Sequence, residues 1–179
     1  LEHTDIITNE RGAVIVNDTC ESSVPGVYAV GDVNGGPQFT YVSLDDFRIV
    51  FGALTGTGQY TLKDRKNVPH TTFLTPPLSR VGFTEAEAID KGYTVKTKEL
   101  LVATMPRAHV NDNLKGVFKI VVNAENDLIL GATLYSQNSE ELINLIKMAM
   151  DNAIPYTYFK NQIFTHPTMA ENLNDLCNF

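Results

Sequence analysis

Residues 71–93 read TTFLTPPLSRVGFTEAEAIDKGY, and this stretch decides the fold. It predicts two short strands and a helix, at residues 71–74, 81–83 and 84–91. Thr84 can cap the helix, Glu87 occupies the capping-box position, and Gly92 can end the helix. Strands that lead directly into a capped helix indicate a domain of mixed α and β structure.

The pattern continues towards the C-terminus. Three longer strands are predicted at residues 94–103, 117–123 and 128–135. Asn126-Asp127 supplies the turn of a hairpin between the last two strands. Three helices follow, at residues 139–152, 156–162 and 169–177.

The helix predicted at residues 139–152 carries one apolar stripe, made by Leu142, Leu145, Ile146, Ala149 and Met150. Ile143 and Met148 lie off this stripe and indicate a second contact face. The spacing favours a helix buried against its own sheet. The alternative, a helix packed at a subunit interface, remains open.

The first part of the chain is rich in glycine and differs in composition from the rest. Two strands and a helix are predicted there, at residues 13–16, 27–30 and 39–54. Residues 63–67 read KDRKN, a charged and solvated segment that indicates a linker. We therefore predict one domain piece over residues 1–62 and a second domain over residues 68–179.

Composition excludes several classes of function. The 179 residues carry 14 Lys and Arg against 21 Asp and Glu, a net charge of −7. A binder of nucleic acid or of an anionic membrane needs a basic face, so neither partner is expected. No apolar stretch approaches the roughly 20 residues of a membrane span. The two cysteines, Cys20 and Cys177, form no disulfide framework, and we expect a reducing, cytoplasmic location.

Gly31-Asp32 is the first candidate site, because it ends the predicted strand at residues 27–30. Ligands of parallel α/β sheets bind beyond the carboxyl ends of the strands, where an aspartate can accept hydrogen bonds from a sugar or polyol. The helix that follows would point the free N–H groups near Phe39, Thr40 and Tyr41 at such a ligand. On the residues alone, a turn aspartate that caps its own loop is the favoured interpretation.

The second candidate is the segment from His166 to Glu171, which reads HPTMAE. Pro167 fixes the entry to the last helix and permits a cis peptide bond. A rigidly held histidine can act as an acid/base when a carboxylate orients its ring, and Glu171 is near enough to do so. Thr168 and Glu171 also fit a capping box, in which the glutamate only binds a backbone N–H. The two roles are compatible, and the spacing alone favours the structural one.

Other chemistries have little support. His3, His70 and His109 show no spacing typical of metal ligands, so no metal site is expected. Cys177 is a lone cysteine near the end of the last helix, where packing is the usual role. The chain has no Gly-x-Gly-x-x-Gly fingerprint, phosphate loop or nucleophile elbow.

Three segments together resemble the pyridine nucleotide–disulfide oxidoreductases. Residues 23–32, SVPGVYAVGD, resemble the family's second flavin-contacting motif. Residues 75–88, TPPLSRVGFTEAEA, resemble the opening of its interface domain. His166-Pro167-Thr168 with Glu171 resembles its terminal catalytic segment. The three occur in family order, and the resemblance covers essentially the whole chain.

This resemblance implies a fold and a set of partners. The fold is α+β: an interface (dimerisation) domain with an antiparallel sheet and helices packed on it, preceded by a terminal β-α piece of an FAD-binding domain. The chain would be the C-terminal portion of a larger homodimeric flavoenzyme that uses FAD and NAD(P)H. The NAD(P)H domain and the redox cysteine pair would lie outside these residues, so the portion alone is expected to be inactive and free of FAD.

The resemblance also implies roles for individual residues. Gly31-Asp32 would hold the flavin ribitol through the aspartate. The start of the helix, at Gln38, Phe39 and Thr40, would face the pyrimidine side of the flavin ring. His166, oriented by Glu171, would be the acid/base for the cysteine pair of the other subunit.

The branch of the family is indicated by two further segments. Residues 38–43, QFTYVS, differ from the Ala-His-Lys-like residues of lipoamide dehydrogenases. They are closer to mercuric reductases and to reductases of reactive-chlorine and hypothiocyanous-acid defence. Mercuric reductases end in a vicinal cysteine pair, whereas only Cys177 occurs here, and residues 171–176 favour the oxidant-defence branch. A mercuric reductase or lipoamide dehydrogenase parent, and an isolated non-catalytic dimerisation module, remain alternatives.

Overall fold

The computed structural model describes residue 1 and residues 3–179. The chain divides into two compact units, Leu1–Lys66 and Asn67–Phe179. Among the described helices, none is long and apolar enough to cross a membrane.

The unit Leu1–Lys66 contains one long helix, α1 (Thr40–Thr55), and two 3-10 turns, Gly31–Asn34 and Leu62–Asp64. The strands predicted at residues 13–16 and 27–30 are wrong, because these segments form only isolated bridges, Thr8 with Val14 and Glu21 with Tyr28. A strand needs a neighbour along its whole length to form a ladder of hydrogen bonds. Among the described residues, these two segments have no such neighbour.

Helix α1 buries one face and exposes another. The buried residues are Val42, Asp46, Ile49 and Gly52. Large apolar residues stand on the exposed face, namely Tyr41, Leu44, Phe47, Phe51 and Leu54. Gly56 ends the helix in the left-handed conformation, at φ 67°, which glycine adopts without strain. The buried face therefore includes a carboxylate among apolar residues.

The unit Asn67–Phe179 is built on a five-stranded sheet, which confirms the predicted α+β fold. The strands are β1 (His70–Thr72), β2 (Leu78–Gly82), β3 (Val95–Leu101), β4 (Val117–Asn123) and β5 (Ile129–Tyr135). Their order across the sheet is β1-β2-β5-β4-β3, and all neighbouring pairs are antiparallel. The predicted hairpin joins β4 to β5, with Asp127 in its turn at φ 61°.

Five helices accompany the sheet: α2 (Glu85–Asp90), α3 (Pro106–Val110), α4 (Ser139–Asp151), α5 (Tyr156–Asn161) and α6 (Leu173–Leu176). The capping box of α2 is confirmed, because Thr84 Oγ1 accepts the Glu87 N–H and Glu87 Oε2 accepts the Thr84 N–H. Helix α3 was not predicted; it is short and begins directly at Pro106. The helix predicted at residues 169–177 is a 3-10 turn, Ala170–Asn172, that leads into α6.

The core of this unit lies on one face of the sheet. Alternate residues of β4 and β5 point into it, including Phe118, Ile120 and Leu134, all fully buried. Helix α4 packs on β2 and β5, and α6 packs on β3 and β4. A hydrogen bond between Ser139 Oγ and Ser79 Oγ at 2.9 Å anchors α4 to the sheet. The sheet and its helices therefore share one continuous apolar core.

The exposed face of α4 differs from the one predicted. Ile143 is 2% exposed and belongs to the core, so its assignment to a second contact face is wrong. Leu145 is 37% exposed and Met148 is 58% exposed, although the sequence placed Leu145 on the buried stripe. The helix is rotated so that Leu142, Ile143 and Ile146 face the sheet. Leu145 and Met148 then form an apolar pair on the outer surface.

Candidate functional site

His166 and Glu171 form a hydrogen-bonded pair in the segment before α6. His166 Nδ1 lies 2.8 Å from Glu171 Oε2. Pro167 follows a cis peptide bond, and the carboxylate of Glu171 lies back along the chain towards the imidazole. The side chain of Glu171 is 17% exposed, whereas that of His166 is 69% exposed. The carboxylate is thus sheltered and the imidazole is open to a reaction partner.

Thr168 and Glu171 also exchange the two hydrogen bonds of a capping box. Glu171 Oε1 accepts the Thr168 N–H at 3.2 Å, and Thr168 Oγ1 accepts the Glu171 N–H at the same distance. The Thr168 hydroxyl in turn donates to the carbonyl of Thr165 at 2.7 Å. The two interpretations of this segment therefore coexist, because each uses a different oxygen of Glu171.

The pair leaves one nitrogen of the imidazole available. Among the described residues, no hydrogen-bond partner faces His166 Nε2. A ring nitrogen bound to a carboxylate carries the proton in the neutral imidazole, so the other nitrogen is free to accept one. The arrangement can therefore exchange a proton with a group that approaches from solvent.

The residues predicted to hold a flavin lie in the unit Leu1–Lys66, and the structure brings only some of them together. Asp32 and Gln38 line an open depression of about 790 Å³, whose other wall is the turn at residues 8–13. Both side chains are exposed. Gly31 is buried behind Asp32 and does not line the depression. Phe39 and Thr40 also lie outside its wall, at the start of α1.

The backbone at the start of α1 offers fewer donors than predicted. The N–H of Phe39 donates to the carbonyl of Pro37 at 3.0 Å, so this donor is already occupied. The N–H groups of Thr40 and Tyr41 have no acceptor among the described residues. These two amides, at the positive end of the helix dipole, can face an electron-rich group.

Three charged residues behind the Gly31–Asn34 turn were missed by the sequence analysis. Asp46 is fully buried and accepts the Gly31 N–H at 2.7 Å and the Asn34 side-chain N–H at 2.8 Å. Its other oxygen pairs with the guanidinium of Arg65. Arg65 Nε also donates to Asp45 Oδ2 at 2.7 Å. Burial alone would lower the pKa of Arg65, but its hydrogen bonds to the two carboxylates raise that pKa above its usual value.

A signal for Asp46 is present in the sequence. Val42, Asp46 and Ile49 follow helical spacing, so the aspartate stands in the middle of an apolar stripe. A carboxylate is buried only when it is paired or hydrogen-bonded, which predicts a cationic partner. That partner, Arg65, lies in the segment that the sequence analysis treated as a solvated linker.

The remaining candidates are a metal site and the two cysteines, and the described residues support neither as a reactive site. Within residues 1 and 3–179, no group of three His, Cys, Asp or Glu side chains could hold a metal ion. Both cysteines are fully buried free thiols. Burial raises the pKa of Cys177 to about 12, and burial together with the nearby Asp46 raises that of Cys20 to about 11.

Family models match both units of the chain. Residues 68–177 match the dimerisation domain of the pyridine nucleotide-disulphide oxidoreductases. The chain belongs to this family. Residues 1–46 match a second model, described as pyridine nucleotide-disulphide oxidoreductase. The resemblance inferred from the three motifs is therefore confirmed at the level of the family.

Curated relatives cover almost all of the chain. It is 48% identical over 175 residues to the probable pyridine nucleotide-disulfide oxidoreductase RclA of Escherichia coli, covering 98% of the chain and 40% of RclA. It is 36% identical to a mercuric reductase of Staphylococcus aureus, covering 97% of the chain and 31% of that protein. A dihydrolipoyl dehydrogenase of Corynebacterium glutamicum is 31% identical, with 98% and 38% covered. The chain thus spans less than half the length of these relatives.

Solved structures agree with the fold. The HOCl-induced flavoprotein disulfide reductase RclA of Escherichia coli superimposes with a TM-score of 0.94 at 48% identity, covering 98% of this chain and 40% of RclA. LpdA of Mycobacterium tuberculosis gives a TM-score of 0.87 at 21% identity, covering 98% and 38% of the two chains. The second likeness concerns the fold alone.

Proposed function

We propose that this chain acts as the C-terminal part of an FAD-dependent, NAD(P)H-linked disulfide oxidoreductase. The observation that carries the proposal is the hydrogen bond of 2.8 Å between His166 Nδ1 and Glu171 Oε2, beside an exposed imidazole. Family membership supports it, because the motif around His166 resembles the family's terminal catalytic segment. The proposed domain limits are residues 1–62 for the FAD-domain piece and residues 68–179 for the interface domain.

In this proposal His166 is the acid/base for a cysteine pair on the other subunit. A thiol reacts poorly until it loses its proton. His166 Nε2 takes that proton as the sulfur attacks the substrate disulfide, and the proton then passes to the substrate sulfur that leaves. Glu171 keeps the proton-bearing nitrogen turned inwards and stabilises the imidazolium that forms.

The residues proposed to face the flavin fit its ribitol and the edge of its ring, but not the whole of FAD. Asp32 presents an exposed carboxylate on the depression that it shares with Gln38, which suits the hydroxyl groups of a ribitol. The amides of Thr40 and Tyr41 suit the electron-rich edge of the ring. When FAD is bound, it carries electrons from NAD(P)H to the cysteine pair.

A homodimer is part of the proposal, because the acid/base and the cysteine pair would come from different subunits. The match of residues 68–177 to a dimerisation domain supports this arrangement. Leu145 and Met148 add physical support, since exposed apolar side chains on a helix surface are typical of subunit contacts.

We propose the oxidant-defence branch for the whole enzyme. The likeness to RclA, whose structure is described as an HOCl-induced flavoprotein disulfide reductase, supports this branch at 48% identity. The mercuric reductase of Staphylococcus aureus is less similar, at 36% identity. The burial of Cys177 also favours this choice, because a shuttle thiol at the chain end would have to be exposed.

Mixed dimers of the full-length reductase that contains these residues test the proposal. One parent carries His166→Gln and the other has its redox cysteine pair replaced by serine, and each parent is expected to be inactive with a disulfide substrate. Each mixed dimer then has one site with both groups, so it should regain up to about half of the wild-type activity. The control parent carries His109→Gln, a change at another exposed histidine, and should keep wild-type activity.

Mixed dimers without activity would contradict a role of His166 on the other subunit. If the His166→Gln parent itself is fully active, the second candidate function applies, a dimerisation module without chemistry. The exposed pair Leu145 and Met148 is the observation that favours this candidate.

A further inference from the structure

Behind the turn that presents Asp32 lies a buried ion pair that the proposed chemistry does not use. Asp46 is fully buried and Arg65 has a side chain that is 12% exposed. We propose that Asp46 is a positioning residue for flavin binding, with Arg65 as its counter-ion. This inference rests on the proposed function, in which Asp32 binds the flavin ribitol.

Asp46 accepts two hydrogen bonds from the turn that carries Asp32. One carboxylate oxygen, Oδ2, accepts the Gly31 N–H at 2.7 Å and an Asn34 side-chain N–H at 2.8 Å. Gly31 and Asn34 are the two ends of the 3-10 turn, so a single oxygen binds both ends. Asp32, which lies between them, is thereby held at a fixed place above α1.

Asn34 makes further hydrogen bonds to residues that precede and follow the turn. Its side-chain N–H also contacts the carbonyl of Ala29 at 3.3 Å, and its side-chain oxygen accepts the Gly36 N–H at 3.0 Å. Gly31 sits directly on α1 at φ 71°, and a Cβ atom added there would overlap the side chain of Ser43. The turn therefore has little room to shift without breaking its bonds to Asp46.

Arg65 offsets the unfavourable burial of the charged Asp46 carboxylate. An unpaired charge inside a protein is strongly unfavourable, and the guanidinium supplies the opposite charge to the second oxygen of Asp46. Arg65 also binds Asp45, whose carboxylate accepts a hydrogen bond from the Tyr60 hydroxyl at 3.4 Å. Asp45 binds Arg65 but makes no hydrogen bond to the Gly31–Asn34 turn among the described residues.

The neighbouring aspartates therefore offer a matched pair of variants. Asp46→Asn keeps the size of the side chain and removes the charged acceptor from Gly31 and Asn34, while Arg65 keeps Asp45 as a partner. Asp45→Asn also removes one carboxylate from Arg65, but it leaves the turn untouched. A hydrogen bond to a ribitol hydroxyl is short and directional, so a displaced Asp32 would lose it.

The experiment measures FAD affinity of the full-length reductase after removal and re-addition of the cofactor. FAD fluorescence follows binding, and far-ultraviolet circular dichroism of the apoprotein follows folding. Asp46→Asn should weaken FAD binding by about tenfold to a hundredfold, the range for hydrogen bonds to a charged group, and should shift the visible spectrum of the bound flavin. Asp45→Asn should change the affinity by less than about threefold.

Each outcome decides the inference. Equal FAD affinity in wild type and Asp46→Asn, or an equal loss in Asp45→Asn, would overturn it while leaving the proposed function intact. A wild-type enzyme that binds no FAD would overturn both.

If Asp46→Asn does not fold, Asn34→Ala takes its place. We then expect a weakened FAD affinity, and an unchanged affinity would overturn the inference. In a folded double variant, Asn34→Ala should add little to Asp46→Asn, because both act through the same bond.

Discussion

His166 Nδ1 lies 2.8 Å from Glu171 Oε2, and this bond decides which nitrogen of the imidazole faces outwards. The other oxygen of Glu171 binds the Thr168 N–H at 3.2 Å, so the carboxylate is itself fixed to the backbone. A histidine held in this way keeps one orientation although its own side chain is exposed. The chemistry proposed for His166 and the local structure of the segment involve the same glutamate.

Glu171→Gln in the full-length reductase should slow disulfide turnover less than His166→Gln does. The amide keeps an oxygen for one of the two bonds, so the variant loses the other bond and the charge that stabilises the imidazolium, but it keeps the imidazole itself. We expect a loss of roughly tenfold, against the hundredfold or more typical of a lost acid/base. Steady-state turnover with a disulfide substrate checks this order, and an equal or larger loss for Glu171→Gln would contradict it.

The chain of 179 residues, purified alone, should carry no FAD. It presents Asp32 and the amides at the start of α1, but no Gly-x-Gly-x-x-Gly turn for the pyrophosphate, which supplies much of the binding energy. The visible absorption spectrum of the pure protein is the measurement. A yellow preparation with one flavin per chain would show that these residues suffice for binding.

Met148→Lys should dissociate the dimer that we expect the isolated chain to form. Met148 is 58% exposed on α4, next to the exposed Leu145, and a lysine there would place a charge in the contact. Ile89→Lys is the control, because Ile89 is 54% exposed on α2, on the other face of the sheet. Light scattering gives the mass of each variant. A wild-type chain that is monomeric at high concentration, or an equal effect of Ile89→Lys, would refute this interface.

Both cysteines should be inert towards a thiol reagent in the native chain. Burial raises the pKa of Cys177 to about 12 and that of Cys20 to about 11. At a given pH the reactive thiolate of Cys20 is then about a hundredfold rarer than for a free cysteine, and access is blocked as well. At pH 8 a thiol titration should find none until denaturant exposes both. Tyr158→Cys, at an exposed position, is the positive control, and rapid labelling of the native wild type would contradict the burial.

The interface domain could be predicted from the sequence because its signals are local. The Thr84–Glu87 capping box and the turn at Asn126-Asp127 each specify their own element. The rotation of α4 could not be predicted in this way. Ile143 and Leu145 are both apolar, and only the packing of the sheet decides which of them is buried.

The two candidate sites also differ in how far the sequence could predict them. His166 and Glu171 are close in sequence, so their spacing already permitted the contact that the structure contains. The bonds of Asp46 to Gly31 and Arg65 join residues far apart in sequence, so a local pattern can indicate that Asp46 is buried but cannot identify its partners. The strands predicted at residues 13–16 and 27–30 failed for a related reason, because a strand depends on neighbours that its own residues do not determine.

The two half-reactions of full-length His166→Gln test the central claim most directly. Rapid mixing with NAD(P)H follows reduction of the flavin, and rapid mixing of the reduced enzyme with a disulfide follows the thiol step. We predict that the thiol step slows by about a hundredfold to ten-thousandfold while flavin reduction by NAD(P)H is much less affected, because only the thiol step needs the imidazole. A thiol step at wild-type speed would contradict the account and would leave His166 and Glu171 with a structural role alone.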